Sequence, residues 1–228
     1  MDPETANPVL RWINRGILGC RMLLHTYGGC AMTDTWRLFI ALPLPDSVIA
    51  VLEETQRALK KTASQRAVTW VAPRNIHLTL KFLGETPISQ RDAIAEALAR
   101  VATQHDAFSL STAHLGCFPD HRSPRVVWVG LAGDQAALRR LQESVERAIA
   151  PLGYPAENRP FSPHLTLGRV RRDVRREDAQ RLGAVVREAV LSGEASWLVT
   201  ELVLFRSELR PGGADYTKLS SVPLQDAR

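Results

Sequence analysis

The sequence contains one tetrapeptide twice: His-Leu-Thr-Leu at residues 77–80, and His-Leu-Thr-Leu again at residues 164–167. Both copies lie in strand-like runs, and side chains along an extended strand point alternately to opposite faces. His77 and Thr79 therefore share one face, as do His164 and Thr166, while the leucines occupy the other. Each copy predicts a strand with an apolar back against a core and a polar front.

Alternating strand-like and helix-like segments surround the two motifs. Strand-like runs cover residues 35–42, 68–71, 76–83, 108–115, 126–131, 164–170 and 198–205. Helical apolar spacing follows Asp46, Ser89 and Asp134, which are residue types that favour helix N-caps. The order strand, helix, strand, strand, helix, strand is complete before about residue 132 and partly repeats afterwards. This order predicts an α+β fold of two related lobes with mainly antiparallel sheets.

The first 31 residues differ from the rest of the chain, because four glycines punctuate them and arginines interrupt every apolar block. They lack the basic start and the continuous apolar stretch of a secretory signal. We therefore expect residues 1–31 to be an N-terminal extension without folded structure. Residues 32–228 are expected to form a single bilobal domain, with Met32 as the hypothetical natural start.

The composition is that of an ordinary globular protein, with 228 residues, 45% hydrophobic and 23% charged. The formal net charge of +5 favours an anionic partner, since surface charge of one sign attracts counter-ions. The longest apolar runs are strand-length, well short of the about 20 residues that a bilayer requires. No membrane span is predicted.

The three cysteines, Cys20, Cys30 and Cys117, form no Cys-x-x-Cys pair. A zinc site or a redox motif would need such pairs. We interpret all three as free thiols in a reducing compartment, which predicts a cytoplasmic protein.

A histidine and a threonine on one strand face suit a phosphoryl group. The imidazole can move a proton while the hydroxyl donates a hydrogen bond to a phosphoryl oxygen. A single His-x-Thr strand is more often an ordinary surface or core feature. Two identical copies, which use two of only six histidines, favour a shared site.

A metal site is the chief chemical alternative, because histidine is a frequent metal ligand. Zinc needs at least three protein ligands, and neither motif has a carboxylate or a cysteine at ligand-like spacing. His105, His114 and His121 remain as further ligands for such a site. The pattern favours chemistry without a metal, and no cofactor is predicted.

Two histidines without a metal can divide the acid-base work on a phosphodiester. One ring accepts a proton from the nucleophile, and the other donates a proton to the leaving oxygen. In-line displacement places these two oxygens on opposite sides of phosphorus, so the histidines should come from opposite walls of a cleft. The unperturbed histidine pKa of about 6.5 then predicts a bell-shaped pH dependence.

Two basic residues near the motifs are candidates for binding the phosphate. Strict alternation puts Lys81 on the face of the first motif's histidine, although a solvated lysine at a strand end fits equally well. Alternation turns Arg169 to the wrong face, unless a β-bulge at Gly168 re-aims the chain. The arginines that follow are typical of a solvated helix start or of a surface that tracks an RNA backbone: Arg171, Arg172, Arg175 and Arg176.

Six aromatic residues are candidates for stacking a base, although most of them should belong to the core. They are Trp36, Trp70, Trp128, Phe118, Phe161 and Tyr216.

Longer segments around the motifs carry a family resemblance. They are Arg37-Leu-Phe-Ile-Ala41, Trp70-Val-Ala-Pro-Arg-Asn-Ile-His-Leu-Thr-Leu-Lys-Phe-Leu-Gly-Glu85, Gly116-Cys-Phe-Pro119, Pro124-Arg-Val-Val-Trp-Val-Gly130, Phe161-Ser-Pro-His-Leu-Thr-Leu-Gly-Arg169, Ser207-Glu-Leu209 and Tyr216. With these segments the chain resembles the 2H phosphoesterase superfamily, in particular the RNA 2′,3′-cyclic phosphodiesterases, which are also called 2′,5′ RNA ligase-like proteins. The N-terminal extension is not a feature of that family.

The resemblance implies a bilobal α+β fold with a pseudo-twofold axis, helices outside, and both motifs facing one central cleft. It implies that His77 donates a proton to the O3′ leaving group and that His164 deprotonates the attacking water, which gives a 2′-phosphate. Thr79 and Thr166 match the family's phosphate-contacting hydroxyls, and Arg169 matches an arginine of the same site. The implied partner is an RNA or a nucleotide with a 2′,3′-cyclic phosphate end.

Two other functions remain open. ATP-independent 2′,5′ RNA ligation would use the same histidines, with a 5′-hydroxyl as the nucleophile in place of water. A nucleotide- or RNA-binding module without catalysis would need neither proton-transfer group, so the paired histidines argue against it. We expect a monomeric enzyme.

Overall fold

The computed structural model describes residues 34–62, 67–210 and 213–226. The predicted N-terminal extension, residues 1–31, lies outside these ranges, as do Cys20 and Cys30. Cys117 is a free, buried thiol, and burial is the main cause that raises its pKa to about 12, with the charge of Asp120 adding to it.

Nine β-strands and four α-helices lie in the described residues. In chain order they are β1 (Thr35–Leu42), α1 (Asp46–Thr62), β2 (Val68–Trp70), β3 (Leu78–Pro87), α2 (Arg91–Ala102), β4 (Phe108–Phe118), β5 (Val126–Gly133), α3 (Gln135–Ile149), β6 (Leu165–Val170), α4 (Arg176–Glu188), β7 (Ser196–Val199), β8 (Glu201–Arg210) and β9 (Gly213–Pro223). Among these residues, no helix is long and apolar enough to cross a membrane.

The three helices expected from capping residues correspond to α1, α2 and α3. Asp134 caps α3, since its carboxylate accepts a hydrogen bond from the Ala137 amide at 2.8 Å. The structure adds α4 and β9 and divides the run 198–205 between β7 and β8 at Thr200. β9 escaped prediction because none of its residues is buried, so its sequence carries no strong apolar period.

The strands form one antiparallel sheet in the order β7-β4-β5-β6-β3-β1-β8-β9, with β2 paired to β6 beside this path. The sheet has two halves, β7-β4-β5-β6 and β3-β1-β8-β9. A single residue pair, Leu78 with Leu165, joins β3 to β6 and so connects the halves. The predicted α+β class with mainly antiparallel sheet is confirmed.

One face of the sheet packs against all four helices in a single core. The apolar backs of both tetrapeptides are part of it, and Leu78 and Leu165 are 0% exposed. Each helix contributes a fully buried leucine: Leu52, Leu98, Leu141 and Leu182. Replacing such a leucine with alanine costs about 2–5 kcal/mol, because the site collapses only partly around the cavity.

A second, smaller cluster covers the opposite face of β1 and β8. It consists of Phe39, Ala41, Val203 and Phe205, with Tyr216 packed against it. β1 and β8 are therefore buried on both faces, and the second cluster adjoins the first tetrapeptide.

Candidate active site

Each histidine of the repeated motif lies one residue before a strand. β3 begins at Leu78 and β6 at Leu165, so both rings stand just outside the regular ladder. Leu78 pairs with Leu165 across two antiparallel strands, and the residue before one leucine therefore faces the residue after the other. Each histidine thus lies beside the threonine of the other motif. The two motifs thus meet at one place on the sheet face opposite the helices. We call this surface the motif face.

The main chain fixes the orientation of both rings in the same way. The Nδ1 atom of His77 lies 2.8 Å from the carbonyl oxygen of Asn75, and Nδ1 of His164 lies 2.8 Å from that of Ser162. A carbonyl oxygen can only accept, so each Nδ1 carries the hydrogen and donates it. Each Nε2 is therefore left to exchange a proton with a ligand. The Asn75 side chain in turn donates to the Ala214 carbonyl of β9 at 2.6 Å.

Aromatic rings surround His77. Its ring stacks on Phe39 with centroids 4.6 Å apart, and Phe205 lies behind at 6.1 Å. Tyr216 presents an edge at 5.2 Å. Tyr216 was among the aromatic candidates, but Phe39 and Phe205 were missed. The available signal was that Phe39 and Ala41 make β1 apolar on both faces, which indicates burial on both sides.

His164 has fewer and more distant aromatic neighbours. Phe118 meets it edge-on at 4.9 Å and Trp128 at 6.5 Å. His114 contacts the other side of Trp128, with centroids 5.4 Å apart. Two of the aromatic candidates, Phe118 and Trp128, therefore lie on the motif face.

Burial lowers the pKa of both motif histidines. It is the main cause that brings the pKa of His77 to about 4; the Asn75 carbonyl opposes it, and the charges of Arg169 and His164 add to it. The pKa of His164 is likewise lowered, mainly by burial and further by Arg169, against the Ser162 carbonyl. At pH 7 both rings are neutral in the free protein. An anion between them would favour protonation, since an opposite charge nearby stabilises the charged ring.

Arg169 reaches the motif face because β6 contains a β-bulge. The register of β6 against β5 skips Leu167, and one extra residue reverses the alternation beyond it. The hypothesis of a break at Gly168 is confirmed, with the shift one residue earlier. The Arg169 charge acts on both motif histidines and on Tyr216.

Two contacts hold this bulge in place. A Cβ atom at Gly168 would lie 2.5 Å from Cγ1 of Val68, so a glycine lets β2 approach closely. Gln56 of α1 donates through Nε2 to the carbonyl oxygens of Leu167 and Val71, both at 2.8 Å. The sequence-based interpretation missed Gln56, for which the signal was a polar residue inside the apolar stripe of α1.

Lys81 lies on the opposite face from the motif histidines. The register of β1 against β3 skips Leu80, so a second bulge reverses the alternation before Lys81. Its ammonium is buried, pairs with Glu146 of α3 and donates to the Pro155 carbonyl at 2.9 Å. The prediction that Lys81 shares the face of the first motif's histidine and threonine is wrong, because strict alternation assumes a strand without a bulge.

Both motif threonines are half-buried on the motif face. Thr79 pairs across the sheet with Ala41, and Thr166 pairs with Trp128. Across the described ranges, neither hydroxyl has a hydrogen-bond partner. Both are therefore available to a ligand.

The structure separates the three further histidines that a metal site would need. His121 contacts the Gly183 carbonyl of α4, His114 contacts Trp128, and His105 follows α2. In residues 34–62, 67–210 and 213–226, no group of three histidine, cysteine or acidic side chains is arranged to hold a metal ion.

Comparison with known proteins adds three findings. The sequence profile of the 2′-5′ RNA ligase superfamily matches residues 44–210. An RNA 2′,3′-cyclic phosphodiesterase from Archaeoglobus fulgidus is 34% identical over 183 residues, which are 80% of this chain and 97% of that protein. A protein of the same name from Geobacillus stearothermophilus is 36% identical over 131 residues, which are 58% of this chain and 41% of that protein.

A solved structure agrees with the sequence comparisons. The crystal structure of E. coli LigT complexed with 3′-AMP matches with a TM-score of 0.67 at 30% identity, covering 84% of this chain and 99% of that chain. The profile match includes both tetrapeptides and the Arg169 bulge. The chain therefore belongs to the 2′-5′ RNA ligase superfamily.

Proposed function

We propose that this protein hydrolyses the 2′,3′-cyclic phosphate end of an RNA to a 2′-phosphomonoester, without a metal, by two-histidine acid-base catalysis. One observation carries the proposal. The Nε2 atoms of His77 and His164 are both left free by their Nδ1 hydrogen bonds, and both rings lie on the face where Arg169 acts. The activity named for the relatives, RNA 2′,3′-cyclic phosphodiesterase, supports the choice of substrate.

The proposed reaction forms a bond from the water oxygen to phosphorus and breaks the bond from phosphorus to O3′. His164 takes a proton from the water through Nε2, while His77 donates its Nε2 proton to O3′. O2′ keeps its bond to phosphorus, so the product is a 2′-phosphate. One proton passed through solvent then restores both rings. The in-line path needs the two rings on opposite sides of phosphorus, which fits their origin in the two halves of the sheet.

Three polar groups are proposed to hold the cyclic phosphate. The Arg169 guanidinium binds a non-bridging oxygen, and the hydroxyls of Thr79 and Thr166 donate to the others. Two observations support this assignment: the hydroxyls of Thr79 and Thr166 have no hydrogen-bond partner among the described residues, and the bulge places Arg169 on the motif face. Such donors stabilise charge most strongly when they are in place before the reaction, and the bulge sets Arg169 on the motif face.

Substrate binding is proposed to protonate His77. The ring is neutral in the free protein at pH 7, because burial lowers its pKa to about 4. The phosphoryl anion offsets both the burial and the Arg169 charge, so one proton enters with the substrate. Once protonated among the rings of Phe39 and Phe205, His77 is a strong acid towards O3′.

Ligation is a second candidate, favoured by the superfamily to which residues 44–210 belong. A 5′-hydroxyl would replace water as the nucleophile, and the same rings would form a 2′,5′ linkage without ATP. Incubation of a cyclic-phosphate-ended RNA with a 5′-hydroxyl RNA distinguishes the reactions, since only ligation lengthens the chain.

The decisive experiment measures hydrolysis of cytidine 2′,3′-cyclic phosphate in EDTA by the natural protein and by His77→Ala and His164→Ala. We expect each variant to lose about 10²–10⁴ in kcat, the scale of a positioned acid or base. His105→Ala, a histidine outside the motif face, is the matched control and should retain full activity.

Each outcome has a definite meaning. Retained activity in either motif variant contradicts two-histidine catalysis, and activity lost only in EDTA contradicts the metal-free reaction. No hydrolysis by the natural protein would leave a nucleotide- or RNA-binding module. A 3′-phosphate product would reverse the two histidine roles.

We further infer that the active unit is a cytoplasmic monomer whose single domain begins near Met32. The clustering of residues 34–228 as one compact unit supports a single domain, and the free thiol of Cys117 supports a reducing compartment. A mass by light scattering that stays constant with protein concentration tests the monomer.

A further inference from the structure

A groove of about 610 Å³ lies beside α4, and none of the motif residues lines it. Its walls are the loop 121–125 before β5, Arg172 and Val174 of the segment that leads into α4, and one side of α4 from Arg176 onwards. Its described lining contains no carboxylate but five arginines: Arg122, Arg125, Arg172, Arg176 and Arg187. We call it the arginine groove.

Three of the five arginines of the groove have no acidic partner among the described residues. In the part of the chain that the structure describes, Arg122, Arg125 and Arg176 have no ion pair, while Arg187 contacts the adjacent glutamate at 3.1 Å. Asp120, the nearest acid of the loop, uses Oδ1 to accept from two loop amides at 2.7 and 2.9 Å. Charges of one sign gathered in a concave surface concentrate anions there.

The wall of the groove is held in place without a ligand. A Cβ atom at Gly183 of α4 would overlap the carbonyl oxygen of His121, so the loop lies directly on the helix. The His121 ring nitrogen Nδ1 lies 3.2 Å from the Gly183 carbonyl oxygen, where its N–H donates. The groove is therefore preformed, which reduces the entropy lost on binding.

Arg125 connects the arginine groove to the motif face. Its amide donates to the Phe118 carbonyl at 2.7 Å, and the Phe118 ring lies 4.9 Å from the His164 ring. Its carbonyl accepts from the Val170 amide at 2.9 Å, and Val170 directly follows Arg169. The loop that lines the groove therefore adjoins Phe118, which contacts the motif face, and the end of β6 that carries Arg169.

We propose that the arginine groove binds backbone phosphates of the RNA on the 5′ side of the cyclic end. This inference rests on the proposed function. The cyclic phosphate is the 3′ end of the substrate, so the rest of the RNA must leave the motif face in the 5′ direction. Guanidinium groups bind phosphates in a bidentate way, and contacts to phosphate carry no sequence information. The groove therefore selects oligonucleotides over mononucleotides, whatever their sequence.

The test compares two double variants with equal loss of charge. R122Q/R176Q removes two groove arginines, and R100Q/R139Q removes two exposed arginines of α2 and α3 as the control. Both are assayed on cytidine 2′,3′-cyclic phosphate and on a cyclic-phosphate-ended RNA of about ten nucleotides. We expect R122Q/R176Q to raise KM for the RNA about tenfold at low salt, with KM for the mononucleotide unchanged.

Salt dependence gives a second readout. Each phosphate contact to a single strand contributes about 0.7 to the slope of log KM against log salt, so losing two contacts should lower that slope by about 1.4. The control variant should leave the slope unchanged. Equal effects of both double variants, or an equal rise of KM for both substrates, would overturn the proposal.

Failure of the groove can be told apart from failure of the proposed function. Hydrolysis of the mononucleotide by the natural protein establishes the chemistry, whatever the groove does. Fluorescence anisotropy with an RNA that ends in a 3′-hydroxyl measures groove binding without chemistry. Equal affinity of the natural protein and R122Q/R176Q for this RNA would contradict the groove even if hydrolysis is normal.

Discussion

The two halves of the sheet hold the same tetrapeptide in different surroundings. Both histidines precede their strand by one residue and donate from Nδ1 to a carbonyl two residues earlier. His77, however, is enclosed by Phe39, Phe205 and Tyr216. Among the described residues, His164 has edge contacts with two rings, Phe118 and Trp128. The same backbone arrangement thus holds two imidazole rings whose protonation costs different amounts of free energy. This difference suits the proposed division into one proton donor and one proton acceptor.

The halves also share a bulge but use it differently. The register skips Leu80 in β3 and Leu167 in β6, so Phe82 and Arg169 occupy equivalent positions on the motif face. One residue earlier, β3 has Lys81, which pairs with Glu146. The equivalent residue of β6 is Gly168, which lets β2 approach closely. The repeated geometry fixes which face these side chains occupy, while the sequence puts an arginine on the motif face in β6 and a phenylalanine there in β3.

Among substitutions that test the difference between the two halves, Arg169→Ala should cause the largest loss in kcat/KM. Losing a fixed charged donor to the phosphate should lower kcat/KM about 10²–10³-fold. Phe82→Ala changes the equivalent position, where the ring is 49% exposed, and should lower kcat/KM far less. Steady-state kinetics on cytidine 2′,3′-cyclic phosphate measure both. Equal losses would mean that Arg169 has no special role at its position.

Gln56→Leu should have the next largest effect, because it frees the Leu167 carbonyl from one of its two donors in the β6 bulge. We expect about a tenfold loss in kcat/KM through a misplaced Arg169, with about 1–3 kcal/mol lost in unfolding free energy. The double variant with Arg169→Ala identifies the route. A positioning role predicts no further loss beyond Arg169→Ala, whereas additive losses would show that Gln56 acts only on stability.

Phe39→Ala tests the difference in burial between the two rings. Burial lowers the pKa of His77, so exposing the ring should raise that pKa from about 4 towards the ordinary 6.5. Because His77 acts in its protonated form, the alkaline limb of the pH profile of kcat/KM should then move to higher pH. Phe118→Ala, the matched change beside His164, should leave the His77 titration in place. NMR titration of the ring protons reads both, and an unmoved His77 would contradict the assigned cause.

Lys81→Met should have the smallest effect on catalysis. The variant leaves Glu146 buried without its partner, which costs about 3–5 kcal/mol of unfolding free energy. Because Lys81 faces the helices, kcat/KM per folded molecule should stay near that of the natural protein. The double variant with Glu146→Gln should recover stability. Lost activity in a stable double variant would contradict this placement and would indicate that Lys81 takes part in catalysis.

The sequence predicted most of what depends on local pattern. The two tetrapeptides, the α+β class and the bulge near Gly168 follow from alternation, element order and a glycine in a strand. The bulge at Leu80 was not predictable in this way, because no glycine marks it and only the pairing with β1 reveals it. The lowered pKa of His77 was equally out of reach, since the burial that causes it comes from β1 and β8, and neither strand adjoins β3 in sequence.

The hydrogen bonds of the two Nδ1 atoms have a consequence for how this site tolerates mutation. Many enzymes orient a histidine with a carboxylate, which a single substitution can delete. Here the orienting groups are the carbonyls of Asn75 and Ser162, and every amino acid supplies a carbonyl. Point mutations can remove either ring, but none can remove the atom that sets its tautomer. The backbone conformation, rather than any one side chain, therefore determines that Nε2 is the nitrogen that exchanges the proton.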